Sequence, residues 1–269
     1  MILRKVASVL YSHYDGLIKS LYDTMLNFSF LKTDRRIANL DRLSYDAATI
    51  DKVRKQVKLK EKLPSISVVY RVKNGGEYLE LSILSISAFA TEVIVVDNDS
   101  SDNTIEIVSR LNEQLRGVCD VKLFNYKEKL AIAGKGYRQS LIKDPGGSLA
   151  KFYNYCFSLS SCDYVMKFDA HCMLLPSAID KLQKEIMKSI DGVIFRGVEV
   201  YGKSLSMELY LYKKCLGFKY CDGDYYEMLQ WDRGINVKRI RYPLFIHMKR
   251  LVYAKHLFCD GNVIAEKYK

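Results

Sequence analysis

The sequence lacks the long apolar runs and the cysteine pairs that would place it in a membrane-spanning or zinc-knuckle class. No window approaches the roughly 20 apolar residues that cross a bilayer, and His13 and Asp15 interrupt the N-terminal run too early for a signal peptide. The seven cysteines include no Cys-x-x-Cys pair, which argues against a zinc knuckle or a thioredoxin-like centre. Their odd number and mostly apolar contexts are typical of reduced thiols in a cytosolic protein. We therefore expect a cytoplasmic chain, either free or peripheral on the inner face of the cell membrane.

Acidic residues are outnumbered by basic ones, and the 269-residue chain carries a net charge of +11. This charge favours an anionic partner such as a nucleotide, a phospholipid head group, a polyprenyl phosphate or a nucleic acid. Nucleic-acid binding would interleave Lys or Arg with aromatic residues on one element, whereas the 20 tyrosines are scattered through every predicted element. We expect no nucleic-acid partner, and keep a basic nucleic-acid-binding protein as an alternative.

Residues 1–62 are predicted to form a helical N-terminal extension. Apolar residues recur there at three- and four-residue spacings without a proline, and Lys and Arg exceed Asp and Glu by six. One interpretation is a solvated extension packed on the main domain. The other is a basic amphipathic surface that docks on anionic lipid or on a partner. Pro64 marks the boundary with a second domain at 63–269.

After Pro64 the pattern alternates between strands and helices. Strands are predicted at 66–72, 92–96 and 121–124, with helices at 77–89 and 103–115. Near-continuous hydrophobicity in the second strand indicates an α/β fold, with a mixed, mainly parallel sheet flanked by helices. Ligands of such sheets bind beyond the carboxyl ends of the strands. Five polar side chains are predicted along that edge: Arg71, Lys73, Asp97, Asn98 and Asp169.

A further strand at 163–168 ends in Asp169-Ala170-His171. Residues two apart in an extended chain project to the same side, so Asp169 and His171 can reach one point. A carboxylate and a neutral imidazole suit a divalent transition ion such as Mn²⁺. The alternative is that Asp169 ends the strand and His171 begins a turn.

Between the third and fourth predicted strands, residues 125–150 are polar and loop-like. Gly134-Lys135-Gly136 lacks the spacing of a phosphate-binding loop, and no clear helix is predicted after it. We expect a mobile loop that carries Lys135 or Arg138 towards phosphate. Helices are predicted at 148–159 and 176–190, and a strand at 193–200.

The order of these features resembles the inverting glycosyltransferases of family 2, which have the GT-A nucleotide-sugar fold. The resemblance covers about residues 64–250 and leaves 1–62 outside. It is carried by five stretches: Val68–Asn74, Val95–Thr104, Asp169-Ala170-His171, Asp222–Glu227 and Tyr242–Arg250. It implies that Arg71, Lys73, Asp97 and Asn98 bind the nucleotide. The alternative for Asp97 and Asn98 is a turn stabilised by side-chain capping.

The motif at Asp169 departs from the Asp-x-Asp of family 2. It looks like the Asp-x-His of the polypeptide N-acetylgalactosaminyltransferases, in which a distant C-terminal His completes the Mn²⁺ site. This resemblance implies that Asp169, His171 and His247 bind Mn²⁺ or Mg²⁺. The lectin domain of that family is absent from this sequence, so its peptide substrate is not carried over.

The family resemblance also implies a catalytic base after the metal motif. Asp224 matches that base at the start of a predicted helix, and Asp222 is close enough to be the base instead. The alternative is a capped helix with an acidic first turn. Trp231 is expected to pack behind this helix, with stacking on a sugar as the alternative.

The implied function is metal-dependent, inverting transfer of a sugar from a nucleotide-sugar donor to a glycan or polyprenyl-linked acceptor, in bacterial surface polysaccharide synthesis. A GT-A-like domain that binds a partner without catalysis is the alternative, because the metal motif is altered and Gly223 separates the two acidic residues.

Overall fold

The computed structural model describes residues 63–199, 204–231 and 234–249. The helices predicted for 1–62 therefore lie outside the described residues. The ten strands are β1 (Ile66–Val72), β2 (Glu92–Asp97), β3 (Asp120–Asn125), β4 (Tyr164–Phe168), β5 (Cys172–Leu174), β6 (Gly192–Glu199), β7 (Glu208–Lys213), β8 (Lys219–Asp222), β9 (Glu227–Gln230) and β10 (Val237–His247) within these ranges. The α-helices described are α1 (Leu79–Ser87), α2 (Thr104–Gln114), α3 (Tyr137–Lys143), α4 (Leu149–Ser158) and α5 (Pro176–Ile186).

Eight of these strands form one sheet in the order β3-β2-β1-β4-β7-β6-β10-β5. The first four are parallel to one another. In the second four, β7 runs antiparallel to both β4 and β6, β10 is parallel to β6, and β5 is antiparallel to β10. The predicted α/β fold with a mixed, mainly parallel sheet and flanking helices is confirmed within the described residues.

The strand-forming sequences bury both faces of this sheet. Every residue of β2 is buried, as a strand covered on two sides requires. Val93 and Val95 belong to the core beneath α1, α2 and α5, whereas Ile94 and Val96 belong to the core beneath α4. This alternation fixes which side chains point to which layer, because successive strand residues face opposite ways.

A close approach brings β6 and β10 together near the carboxyl edge of the sheet. A Cβ atom at Gly197 would lie 2.2 Å from the ring of Phe245, so only glycine lets the two strands pack at this point. The pairing aligns Phe245 with Gly197 and His247 with Glu199. The packing of the Phe245 ring against Gly197 therefore fixes the strand register that places His247 beside Glu199.

Three local predictions are wrong. Gly134-Lys135-Gly136 is followed by a helix, α3, although none was predicted there. The helix predicted to reach residue 190 ends at Ile186, and Ser189 adopts a positive φ of 56°. The acidic stretch Asp222–Glu227 opens no helix. It forms the turn between the paired strands β8 and β9.

The β8–β9 hairpin depends on a glycine and on a distant helix. A Cβ atom at Gly223 would lie 2.9 Å from the carbonyl oxygen of Tyr226, and the Gly223 N–H donates to that oxygen at 2.8 Å. The Asp222 carboxylate docks the hairpin on the first residues of α4, accepting from Ser148 Oγ (2.6 Å) and Ala150 N (3.1 Å). These tertiary contacts override the local helical pattern.

Within the described residues, none of the helices combines the length and apolar character needed to span a membrane.

Candidate active site

The carboxyl ends of β1 and β2 are joined through their turns. The N–H groups of Gly75 and Gly76 donate to Thr104 Oγ1 (2.9 Å) and Asp102 Oδ2 (2.8 Å). Asn74 Oδ1 accepts from Ser101 N at 2.8 Å. The acidic turn after β2 thus holds the turn after β1 in place, and so fixes one wall of a cleft at the sheet edge.

This strand-end cleft has a volume of about 320 Å³. It brings together three of the five residues expected at this edge, Arg71, Lys73 and Asp169, and adds His171 and Lys249. Asp97 and Asn98 do not line it. The Asn98 amide donates to the carbonyl oxygens of Tyr126 (2.8 Å) and Glu128 (2.9 Å).

Asp97 is buried behind the cleft. Its Oδ2 accepts from Ser100 N at 3.1 Å, while its Oδ1 has no hydrogen-bond partner within the described residues. The contacts of Asp97 and Asn98 are those of the turn-stabilising alternative. They leave one Asp97 oxygen with acceptor capacity.

Arg71 and Asp169 form an ion pair on the cleft floor, with Arg71 Nη2 at 2.5 Å from Asp169 Oδ1. The guanidinium lies over the ring of Tyr153, 4.1 Å from its centroid, and closer than 6 Å to that of Phe157. Burial alone would lower the pKa of Arg71, but Tyr153 and Asp169 outweigh burial and raise it. Burial would raise the pKa of Asp169, and Arg71 instead holds it below its usual range. Both groups are therefore charged at neutral pH.

His171 and His247 are far apart in the sequence but lie next to each other in the structure. Their rings are perpendicular, with centroids 4.4 Å apart. Met248 N donates to His171 O at 2.7 Å, which ties the end of β10 to the start of β5. Burial lowers the pKa of His171 to about 4, so its imidazole is neutral at pH 7, the form that binds metals.

A thiol lies close to both imidazoles. The ligand atoms of His171, Cys172 and His247 all lie within 4.8 Å of one another, and no other group of three such donors occurs in the described ranges. Two imidazoles and a sulfur suit a divalent transition ion. The Asp169 carboxylate is outside this group and is paired with Arg71, so the predicted set of Asp169, His171 and His247 is only partly assembled.

Asp222 and Asp224 differ in their surroundings. Asp222 accepts hydrogen bonds from Tyr137, Ser148 and Ala150. Burial would raise its pKa, and these donors lower it. Asp224 is exposed at the hairpin tip.

The predicted Lys135 and Arg138 belong to a loop and helix attached to this hairpin. Gly134 N donates to Tyr225 O at 2.6 Å, and both Lys135 and Arg138 are exposed. The loop is thus linked to the hairpin tip, and neither basic side chain lines the strand-end cleft.

A second cleft, which the sequence analysis missed, lies between β7 and the hairpin and has a volume of about 520 Å³. Its polar and aromatic lining includes Lys167, Glu208, Tyr226, Glu227, Trp231 and Arg239. Trp231 does not pack behind a helix; it is 41% exposed at the end of β9. In the sequence, Lys167 was the one residue that could have indicated this cleft, because it precedes Asp169 by two residues and so projects to the same side of the strand.

The comparisons with known proteins agree with this architecture. The family model "Glycosyl transferase family 2" matches residues 67–220, more than half of the chain. The crystal structure of S. aureus TarS residues 1–349 has a TM-score of 0.50 and 13% sequence identity, covering 71% of this chain and 62% of that one. A structure of S. aureus TarS has the same score and identity, covering 72% and 40%.

The chain thus spans less than two thirds of the length of these neighbours. At this identity the likeness bears on the fold alone, and it confirms the predicted GT-A fold. The search of curated proteins found no match.

Proposed function

The chain belongs to glycosyl transferase family 2, and from this premise we propose that it moves a sugar from a nucleotide-sugar donor to a hydroxyl group of a glycan or polyprenyl-linked acceptor. The proposed transfer is inverting and depends on a divalent metal ion. The observation that carries the proposal is the strand-end cleft, in which basic side chains and the His171 imidazole converge on the carboxyl edge of the sheet, with the His247 ring against that of His171.

The charge of this cleft supports a diphosphate donor. Arg71, Lys73 and Lys249 line it together with Asp169. As the bond to the sugar breaks, negative charge develops on the leaving nucleoside diphosphate. Fixed cations in a partly desolvated site stabilise that charge more than water does.

The metal ion would be held by His171 and His247, with Asp169 or Cys172 as third donor. When bound, a divalent ion acts as a Lewis acid towards diphosphate oxygens. The resident ion proposed from the family resemblance is Mn²⁺ or Mg²⁺. The chain's own contribution is to hold the two imidazoles next to each other, through the β5–β10 pairing of Cys172 with His247.

The second cleft is the proposed acceptor site. Its exposed aromatic side chains, Tyr226 and Trp231, offer apolar faces for sugar rings, and Lys167 and Glu227 offer hydrogen-bonding groups. The net charge of +11 supports a phosphate-bearing acceptor. A polyprenyl-linked glycan of bacterial surface polysaccharide synthesis has this chemistry, and an enzyme acting on it would work at the inner face of the membrane.

Asp224 remains the proposed catalytic base, since its carboxylate is exposed on the hairpin that borders the second cleft. Asp222 is the weaker candidate, because three hydrogen bonds occupy its carboxylate. Glu227 competes for the role. It lines the second cleft, and its charge helps burial to raise the pKa of Tyr153, the residue on which Arg71 stacks.

The test is nucleotide release from a panel of UDP-, GDP-, CDP- and CMP-linked sugars, with divalent ions and a polyprenyl-linked acceptor. We expect release from one donor class, and the anomeric configuration of the product follows from its proton NMR spectrum. Asp224→Asn should lower kcat by about 10²–10⁴-fold if Asp224 is the base, with Glu227→Gln as the matched comparison. Release from no donor under any metal condition would favour the non-catalytic alternative.

A further inference from the structure

We propose that His171, Cys172 and His247 form a three-donor site for a thiophilic divalent ion such as Zn²⁺, and that Glu199 orients His247 within it. This inference deepens the proposed function, because it concerns the same pair of imidazoles. It replaces the expected carboxylate donor with a thiolate and thereby changes the class of ion that the site selects.

The first argument is the register of three neighbouring strands. His247 of β10 pairs with Cys172 of β5 on one side and with Glu199 of β6 on the other. Directly paired residues place their side chains on the same face of a sheet. Glu199, His247 and Cys172 therefore form one row across the sheet, and the hydrogen bond from Met248 N to His171 O brings the second imidazole to the end of that row.

The second argument is the carboxylate expected to complete the site. Asp169 Oδ1 lies 2.5 Å from Arg71 Nη2, and the guanidinium is held over Tyr153. No Asp169 oxygen belongs to the group of donor atoms that the two imidazoles form, so joining them would require the carboxylate to move relative to Arg71, whose side chain is only 6% exposed. The Cys172 sulfur already lies within 4.8 Å of the imidazole donors.

The third argument is the contact behind His247. Its Nδ1 lies 3.0 Å from Glu199 Oε2, and Glu199 is buried. A carboxylate that accepts from one ring nitrogen fixes the tautomer, so that the other nitrogen, Nε2, carries the lone pair for a metal ion. Glu199 is thus a positioning residue, one that sequence reasoning missed because β6 and β10 are not consecutive strands.

The donor set decides the ion. Two imidazoles and one thiolate favour Zn²⁺ or Co²⁺ over Mn²⁺ or Mg²⁺, which prefer oxygen ligands. Three protein donors leave a fourth position open, as in catalytic zinc sites. When the ion binds, a metal–sulfur bond forms and the thiol proton passes to solvent. His171 also lines the strand-end cleft, so the site borders the proposed donor position.

The experiment uses the full chain, freed of metal and titrated with Co²⁺, without donor or acceptor. We expect a thiolate-to-cobalt charge-transfer band in the near ultraviolet from the unmodified chain and from Asp169→Asn. Cys172→Ser should lose the band, while Cys119→Ser, which removes another buried thiol, should keep it. Glu199→Gln should weaken Zn²⁺ binding by about 10–100-fold.

A measurement on the unmodified chain removes any dependence on how Cys172→Ser folds. X-ray absorption of the Zn²⁺-loaded protein should show one sulfur neighbour at about 2.3 Å. A shell of nitrogen and oxygen alone, a charge-transfer band that survives Cys172→Ser, or no ion bound at all would each overturn the proposal. Nucleotide release supported by Mn²⁺ with no sulfur ligand would overturn it while leaving the proposed transferase function intact.

Discussion

Two carboxylates hold basic partners at opposite edges of the same sheet, and they differ in how fully their hydrogen-bonding capacity is used. Glu92 opens β2 at the amino edge and accepts from three groups: Lys122 Nζ (2.7 Å), Ser67 Oγ (2.5 Å) and Ser161 N (2.6 Å). Asp169 follows β4 at the carboxyl edge, and its carboxylate accepts one hydrogen bond, from Arg71, within the described ranges. The side chain of Glu92 is 3% exposed and that of Asp169 is 42% exposed.

The difference separates a stabilising ion pair from one that can take a ligand. The Glu92 carboxylate at the amino edge is almost fully buried and accepts three hydrogen bonds, so it stabilises the fold and is not accessible to a ligand. At the carboxyl edge both partners keep spare capacity, since Arg71 Nε is buried without a hydrogen-bond partner in the described part of the chain. Unsatisfied buried polar groups are rare and often mark functional positions.

The largest expected effect is on turnover at the carboxyl edge. Asp169→Asn removes the charge beside Arg71, and we expect kcat to fall by about 10²–10³-fold because the electrostatics of the cleft are disturbed. The free energy of unfolding should fall by about 1 kcal/mol, less than in Glu92→Gln, since the Asp169 carboxylate is partly solvated and Arg71 keeps its contact with the Tyr153 ring. Nucleotide release measures kcat, and urea unfolding measures the free energy of unfolding. Unchanged turnover in Asp169→Asn would contradict a functional role for the carboxyl-edge ion pair.

Glu92→Gln should show the opposite pattern. The substitution removes a charge that accepts three hydrogen bonds, and we expect the free energy of unfolding to fall by about 2–3 kcal/mol. Turnover by the folded fraction should be unaltered, because Glu92 lies at the far edge of the sheet. Equal losses of stability in Glu92→Gln and Asp169→Asn would argue against the distinction.

The same substitution predicts a change in acid sensitivity. Burial alone would raise the pKa of Glu92, but the hydrogen bonds from Lys122, Ser67 and Ser161 lower it from about 4.5 to about 2. The contribution of Glu92 to stability is therefore fully present above pH 4.5 and lost as the pH falls towards 2. Urea midpoints measured across this window should fall more steeply for the unmodified chain than for Glu92→Gln. Parallel plots of urea midpoint against pH for the two proteins would contradict the assignment of this acid sensitivity to Glu92.

The smallest effect is expected at a surface ion pair. Glu80 accepts from Arg110 at 3.0 and 2.7 Å, and the Arg110 side chain is 48% exposed. Glu80→Gln should cost about 0.2–1 kcal/mol and should leave turnover unaltered, which makes it the matched control for Glu92→Gln. A loss of stability as large as that of Glu92→Gln would show that burial of the carboxylate does not determine how much an ion pair stabilises the fold.

The elements that the sequence predicted well are those governed by local patterns. The apolar run of β2 and the alternation in β1 indicate strands without any knowledge of their partners, and the end of β4 places Asp169 at the sheet edge. These patterns predicted the α/β fold with a mainly parallel sheet, and the family resemblance supplied the GT-A assignment.

The missed features depend on contacts between distant parts of the chain. Asp222 docks on Ser148, 74 residues away, and so a hairpin stands where a helix was expected. The row of Glu199, His247 and Cys172 exists only because β10 lies between β6 and β5, an order that periodicity does not reveal. The resemblance that paired His171 with His247 supplied what the local pattern could not.

The most direct test of the account is the thermal stabilisation of the chain by a nucleotide and a divalent ion together. The unmodified chain and Glu92→Gln should each rise further in Tm with one nucleoside diphosphate and a divalent ion together than with either one alone, because each ligand that binds only the folded state stabilises it. Asp169→Asn should lose most of that shift. An equal shift in Asp169→Asn, or no shift with any nucleotide and ion, would contradict the claim that the carboxyl edge of the sheet binds the donor.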